Sequence, residues 1–215
     1  MTIRIDKNSG ELFLYGVVGE MWDGEGFGTS EVLDALAALG GKRAIVRINS
    51  PGGYASDGVA IYNALKRYSG GVDTIVDSIA ASAASIIALA GEKRITARGG
   101  RWMIHRAMCL AMGNVTDMQH AIDALSNCDQ SLIDIYQTCM PGTPEEIRGL
   151  MEAETWYTGE TAMAAGLSTA IGDQTNAKPK IAAWFKNTPQ ALLSQVHNRG
   201  VRDAAKAKLA KIMTR

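Results

Sequence analysis

Ser82 stands among alanines in the run SIAASAASIIALA, and His105 closes the next strand-like segment, RWMIH. A hydroxyl and an imidazole brought together are the minimum equipment for a nucleophile activated by a general base. A serine at a steep strand-to-helix turn is aimed out of the sheet, with the following N–H groups facing the same space. Such a turn needs small neighbours, and Ala80, Ala81, Ala83 and Ala84 supply them. The start of a helix adds partial positive charge where an oxyanion would develop. The plainer role for Ser82 is that of a helix cap. Ser78 and Ser85 are its rivals, the first within the strand and the second a turn into the helix, where packing is its expected role. The choice of base is narrower, because His120 falls on a long helix and His197 in the C-terminal tail.

Two further groups would complete such a centre. The turn Ser50-Pro51-Gly52-Gly53 follows a buried strand at its C-terminal end, the edge where open α/β sheets bind ligands. Its glycines let backbone N–H groups approach a reacting carbonyl, although a simple proline–glycine turn has the same composition. An acid must orient the imidazole. Asp117, Asp129, Glu152, Glu154 and Asp173 are all candidates, and residue mechanics does not choose among them.

The elements that would hold these groups read as α/β. Residues 11–18, 43–49 and 72–77 are strand-like, and helices over 29–39 and 55–68 alternate with them. This order calls for right-handed parallel crossovers. A buried helix after the Ser82 turn and short strands at 94–96 and 101–105 follow. Asp117 is placed to cap a long helix reaching about residue 140, with Met118, Ile122, Leu125, Cys128, Leu132, Ile135 and Tyr136 forming one apolar stripe. Pro144 opens another helix, Thr158 a third, and 167–171 reads as a last short strand. Residues 1–175 thus form one domain, and 176–215 a tail, partly helical or flexible. Segment 196–215 carries six Lys/Arg against one Asp, which reads as a solvated end or a docking segment.

Composition narrows the classes. Formal charge is zero, with 22 basic and 22 acidic residues, so the chain as a whole is no polyanion binder and no nucleic acid partner is expected. No apolar run reaches the ~20 residues of a membrane span, and residues 1–16 lack the apolar centre of a signal peptide. Cys109, Cys128 and Cys139 have no metal-binding spacing and read as free, mostly buried thiols. The glycine-rich stretch at 22–28 has no phosphate-binding spacing. No cofactor or metal is expected, and the location expected is cytoplasmic.

Four segments in order carry a family resemblance: NSPGG at 49–53, GVAIYNAL at 58–65, AAS at 80–82 and MIH at 103–105. Together they resemble the Clp protease proteolytic subunit family, over residues 11 to 167. The resemblance implies a ClpP/crotonase-like fold of repeated β-β-α and βαβ units with a long protruding helix. It makes Ser82 the nucleophile and His105 the base, with Gly53 and Ala83 donating the oxyanion-hole N–H groups. The family's acid precedes an aromatic segment and an AxxxGL helix, which here aligns Glu154 with the usual aspartate. Glutamate adds one methylene, Ser78 and Ile79 replace the usual glycine and glutamine, and Ala107 replaces a proline.

The ETW run at 154–156 and the basic tail are similar to the Clp-related head maturation proteases of phages and prophages. The implied activity is that of a serine endopeptidase acting on capsid or scaffold proteins, in the host cytoplasm or a phage prohead. The implied partners are a protein or peptide substrate and further copies of the chain in a ring, of six or seven subunits and possibly doubled. ATP-dependent general proteolysis with an AAA+ unfoldase is the alternative. A crotonase-class acyl-CoA enzyme and a non-catalytic ring-forming protein of the same fold are the others.

Overall fold

The computed structural model describes residues 3–19, 26–173, 175, 177 and 185–193. Its framework is an eight-stranded mixed sheet. β1 (Arg4–Asp6) pairs antiparallel with β2 (Glu11–Tyr15). From β2 the sheet runs parallel through β3 (Ala44–Ser50), β4 (Val72–Ala81) and β5 (Arg94–Ala97) to β8 (Ala170–Gly172). The crossovers are α1 (Thr29–Ala38) and α2 (Ala55–Arg67). Along β3, Ala44, Val46 and Ile48 are buried while Ile45 and Arg47 are not. The strand therefore covers one face of the core, where the apolar run alone suggested burial on both.

β4 divides the sheet. Residues Thr74–Val76 pair with β5, whereas Ile79–Ala81 pair with β6 (Arg101–Ile104). The β3–β4 register shifts between Ile48 and Ser50, opposite Asp77 and its neighbours. Asp77, with a fully buried side chain, is held there by Arg47 and by the Tyr15 hydroxyl at 2.6 Å. A buried carboxylate is tolerable only when paired in this way. The fork matters for function because β4 and β6 are parallel with Ala81 opposite Met103. Their C-terminal ends emerge side by side.

α3 (Ala83–Ala88) follows β4, and all six of its residues are buried. Helices below about 12 residues are marginal in isolation. α3 is held by packing of Ile86 and Ile87 into the main core, which also takes Val32, Leu36, Ile61 and Leu65 from α1 and α2. Burying each such side chain contributes about 1.5–3 kcal/mol.

α4 (Val115–Tyr136) is capped by Asn114, which accepts N–H bonds from Thr116 and Asp117. Asp117 returns a bond from Asn114 N, so it completes a capping box and is not itself the cap. The expected continuous stripe divides. Leu132, Ile133 and Tyr136 are buried, whereas Ile122 is 54% and Val115 87% exposed. The N-terminal half projects beyond the core of this single chain. The cysteines are also less covered than expected: Cys109 is exposed, and Cys128 and Cys139 are partly so.

α5 (Pro144–Glu152), β7 (Thr155–Tyr157) and α6 (Gly159–Ala164) follow, with β7 antiparallel to β6. The last strand begins at Ala170, later than expected, because Leu167 and Ser168 are spent on hydrogen bonds to Ala162 O at the end of α6. Among the described residues no helix is long and apolar enough to cross a membrane. Beyond residue 175 the described residues include Phe185 and a short helix, α7 (Gln190–Leu193), which belong to the expected tail. Its basic segment at 196–215, like most of the glycine-rich stretch at 22–28, lies outside the described residues.

Candidate active site

Ser82 is the hinge between β4 and α3, at φ 54° and ψ −129°. A residue with a side chain costs on the order of 1–3 kcal/mol in such a conformation, and the surroundings must enforce it. They do so from several sides. Ser82 N–H donates to Met103 O at 2.9 Å, continuing the β4–β6 ladder. Ala80, Ala81, Ala83 and Ala84 are buried around it. A Cβ on Gly58 would come within 2.9 Å of the Ala83 Cβ.

His105 follows β6 directly, on the same sheet edge. Its Nε2 lies 2.7 Å from Ser82 Oγ. Burial pushes the imidazole pKa down, and the negative charges of Glu154 and Asp129 oppose that shift. The lowered value keeps the ring neutral at neutral pH, the form that can accept a hydroxyl proton. His120, by contrast, is exposed on α4, and His197 lies outside the described residues.

Glu154 sits where α5 turns into β7, at φ 49°, and is 8% exposed. Ser82 and Glu154 are the non-glycine residues with positive φ among those described. The Glu154 carboxylate accepts from Lys186 N at 2.7 Å, Asn187 N at 2.6 Å and the Trp156 indole at 3.3 Å. The Glu154 charge opposes the lowering of the His105 pKa, while its oxygens are held by a strap of chain, residues 185–187. Phe185 of that strap packs edge-on against both His105 and Trp156, with centroids 5.7 Å away in each case.

The other acids have different work. Asp129, 1% exposed, accepts from Arg106 Nε and Ala107 N, both at 2.7 Å, and so ties the backbone after His105 to α4. Asp117 serves the helix cap, and Glu152 and Asp173 are exposed.

The two glycines of the turn make room on different sides. Gly53 is bridged to Val18, and a Cβ there would strike Val18 O. Gly52, at φ 90°, faces the serine: its Cβ would lie 2.6 Å from Ser82 Cβ and 3.0 Å from Ala83 N. The absent side chain of Gly52 opens the space above the Ser82 hydroxyl and the Ala83 N–H. Ser50 helps to set this turn, its Oγ accepting from Gly52 N at 3.1 Å.

An open cleft of about 440 Å³ adjoins His105, with Met108, Ile122, Leu125 and Met151 among its walls and Glu152 and Lys186 also lining it. Among the described residues no group of His, Cys, Asp and Glu is arranged to hold a metal ion.

A forked mixed sheet with a strained serine on one strand end and a histidine on the next defines an α/β protein that pairs a hydroxyl with an imidazole at one sheet edge. The Clp protease family profile matches residues 29–175. The chain belongs to that family. It is 31% identical over 130 residues to an ATP-dependent Clp protease proteolytic subunit of Deinococcus radiodurans, covering 60% of this chain and 64% of that one. It is 33% identical over 126 residues to the subunit of the same description from Ligilactobacillus salivarius, covering 58% and 64%. The chain therefore spans a little under two thirds of the length of these relatives. A solved structure of a ClpP1 variant from Listeria monocytogenes superimposes with a TM-score of 0.68 at 19% identity, covering 79% of this chain and 95% of that one. That likeness establishes the ClpP-like α/β fold.

Proposed function

We propose that this protein is a serine endopeptidase. The observation that carries the reading is the 2.7 Å contact between His105 Nε2 and the hydroxyl of a strained Ser82. Ser82 Oγ attacks a peptide carbonyl while His105 takes its proton. The Glu154 charge favours the imidazolium that forms. The Ala83 and Gly53 N–H groups, which meet no other partner among the described residues, receive the oxyanion. His105 returns the proton to the leaving amine, and water then releases the acyl group. The cleft beside His105 suits an apolar substrate side chain. Replacing Ser82 by alanine should lower kcat by about 10⁴-fold or more with the fold retained. Fluorophosphonate labelling and a fluorogenic peptide assay test this, and wild-type turnover by Ser82→Ala would refute it.

The proposed setting is processing of phage capsid or scaffold proteins. The ETW run and the basic tail support it. The relatives' description as ATP-dependent proteolytic subunits favours a second setting, in which an unfoldase feeds the site. Cleavage of a folded capsid or scaffold protein without ATP supports the first, and strict dependence on an added unfoldase and ATP the second.

The proposed assembly is a ring of identical chains. Its support is the row of exposed apolar side chains before and along α4: Leu110 at 75%, Met112 at 81% and Val115 at 87%. Such a patch is usually covered in a soluble protein. Light scattering should give a multiple of the 22.9 kDa chain mass, and Met112→Asp combined with Val115→Asp should reduce it. A wild-type monomer at high concentration would sink the proposal.

A further inference from the structure

Ser85 looks like a core residue from its position in α3, and Tyr136 looks like the end of an apolar stripe. Their hydroxyls meet 2.7 Å apart, with Ser85 fully buried and Tyr136 1% exposed. Ser85 Oγ also lies 2.6 Å from the carbonyl oxygen of Ser82, which accepts the Ser85 N–H at 2.9 Å as well.

The protons in this cluster can be ordered without ambiguity. A carbonyl oxygen only accepts, so the Ser85 O–H is committed to Ser82 O. The remaining contact then requires the Tyr136 O–H to donate to Ser85 Oγ. Burial raises the Tyr136 pKa far above its ordinary value, which keeps that donor protonated. The result is a directed chain, from Tyr136 O–H to Ser85 O–H to the Ser82 carbonyl.

What this chain fixes is a peptide plane. The Ser82–Ala83 peptide is trans, since the described backbone has no cis bonds. In a planar trans peptide the C=O and the N–H point in opposite directions. A Ser82 carbonyl drawn inward by two Ser85 donors therefore aims the Ala83 N–H outward. The outward side is the one Gly52 leaves open, its absent Cβ lying 3.0 Å from Ala83 N. Ser82 sits at a strained φ, so with the hydroxyl gone and only the Ser85 N–H left on its carbonyl this plane would be held less firmly.

We propose that Ser85 and Tyr136 are positioning residues that orient the Ala83 N–H for the oxyanion. The proposal rests on the reading of Ser82 as the nucleophile. Neither residue touches the imidazole or the cleft. Their loss should lower kcat and weaken oxyanion binding while leaving KM and the pH midpoint of His105 in place.

The test compares Ser85→Ala, Tyr136→Phe, the double variant and Ser85→Thr. The double variant removes both hydroxyls and leaves no buried donor stranded, so it guards against misfolding in the single ones. Removing an oxyanion donor outright costs about 10²–10³ in kcat, and misaiming one should cost about 10-fold in Ser85→Ala and in the double variant. Tyr136→Phe, which leaves the Ser85 donor in place, should cost about 3-fold. Ser85→Thr keeps the hydroxyl and should recover most of the rate. A peptide aldehyde, whose serine adduct bears the oxyanion, should bind the double variant about 10-fold more weakly.

Circular dichroism melting confirms that each variant is folded. A folded double variant with kcat and aldehyde affinity within twofold of wild type would overturn the proposal. A shifted pH midpoint would overturn it too, by showing that the damage reached the Ser82–His105 pair. A wild-type protein that neither cleaves peptides nor labels with fluorophosphonate would instead overturn the peptidase reading on which it rests.

Discussion

The two sides of the candidate site are built differently. On the serine side, Ser82 is enclosed by β4, β6, α3 and the glycine turn, all within the residues that match the family. Backbone ladder bonds and buried small side chains hold it. On the acid side, Glu154 depends on the strap at 185–187, which lies beyond the matched residues. The serine side has no slack, because backbone atoms approach one another with no room for a Cβ. The acid side has side-chain and strap contacts that can adjust. The geometry of Ser82 is thus a property of the core, and the setting of Glu154 is supplied by a separate stretch of chain.

Substitutions can break or sharpen this contrast. The largest effect is expected from Gly52→Ala on the serine side. The new Cβ meets backbone at Ala81 O and the Ser82 Cβ, both at 2.6 Å, and the residue sits at φ 90°. Strain and overpacking together should cost about 2–4 kcal/mol of stability. The displaced Ala83 N–H should lower kcat at least ~100-fold. Denaturant titration and peptide turnover check both figures. A variant of near wild-type stability and rate would show that the serine side has slack after all.

A smaller effect is expected from Glu154→Gln. Removing a directly bonded triad carboxylate costs about 10⁴-fold, but in the proposed mechanism Glu154 acts through its charge, so a loss of about 10–100-fold is expected. The pH profile carries a sign. His105 must be neutral to act, so the rate rises with pH through a midpoint below 6.5, the ordinary imidazole value. The Glu154 charge raises that midpoint, and Glu154→Gln should lower it further.

The smallest effect is expected from Phe185→Ala. Its ring helps bury the imidazole, and burial is the main cause of the lowered pKa. Letting water in should raise the midpoint, with kcat changed by less than about threefold. The two acid-side variants should thus move the midpoint in opposite directions. A common direction would mean that the strap and Glu154 act on His105 as one unit.

Much of the serine side was legible because its signals are local. A run of alanines around Ser82, a histidine at a strand end and a proline–glycine turn each state a backbone requirement. The closeness of Gly52 to Ser82 was not legible, because it depends on what a missing Cβ would strike across the sheet. Parallel crossovers could be read from the order of elements. The fork in β4 could not, since pairing with both β5 and β6 leaves no mark on periodicity. Tyr136 was visible as an apolar position, but a hydroxyl's partner is set by the crossing of α3 and α4. The strap was the least legible. Phe185 and Asn187 sit in KIAAWFKNT, a short stretch between two prolines with no clear period, and their value lies wholly in where the chain returns.

The backbone angles at Ser82 and Glu154 bear on how such a protein changes over generations. Both residues occupy conformations that glycine adopts without strain. Selection for folding alone would therefore favour glycine at each, and each such change would delete a side chain on which the proposed chemistry depends. At most positions stability and activity are lost together. At these two they are in opposition, so a lineage released from the need to cleave would be expected to decay here first, while the rest of the sheet stayed intact.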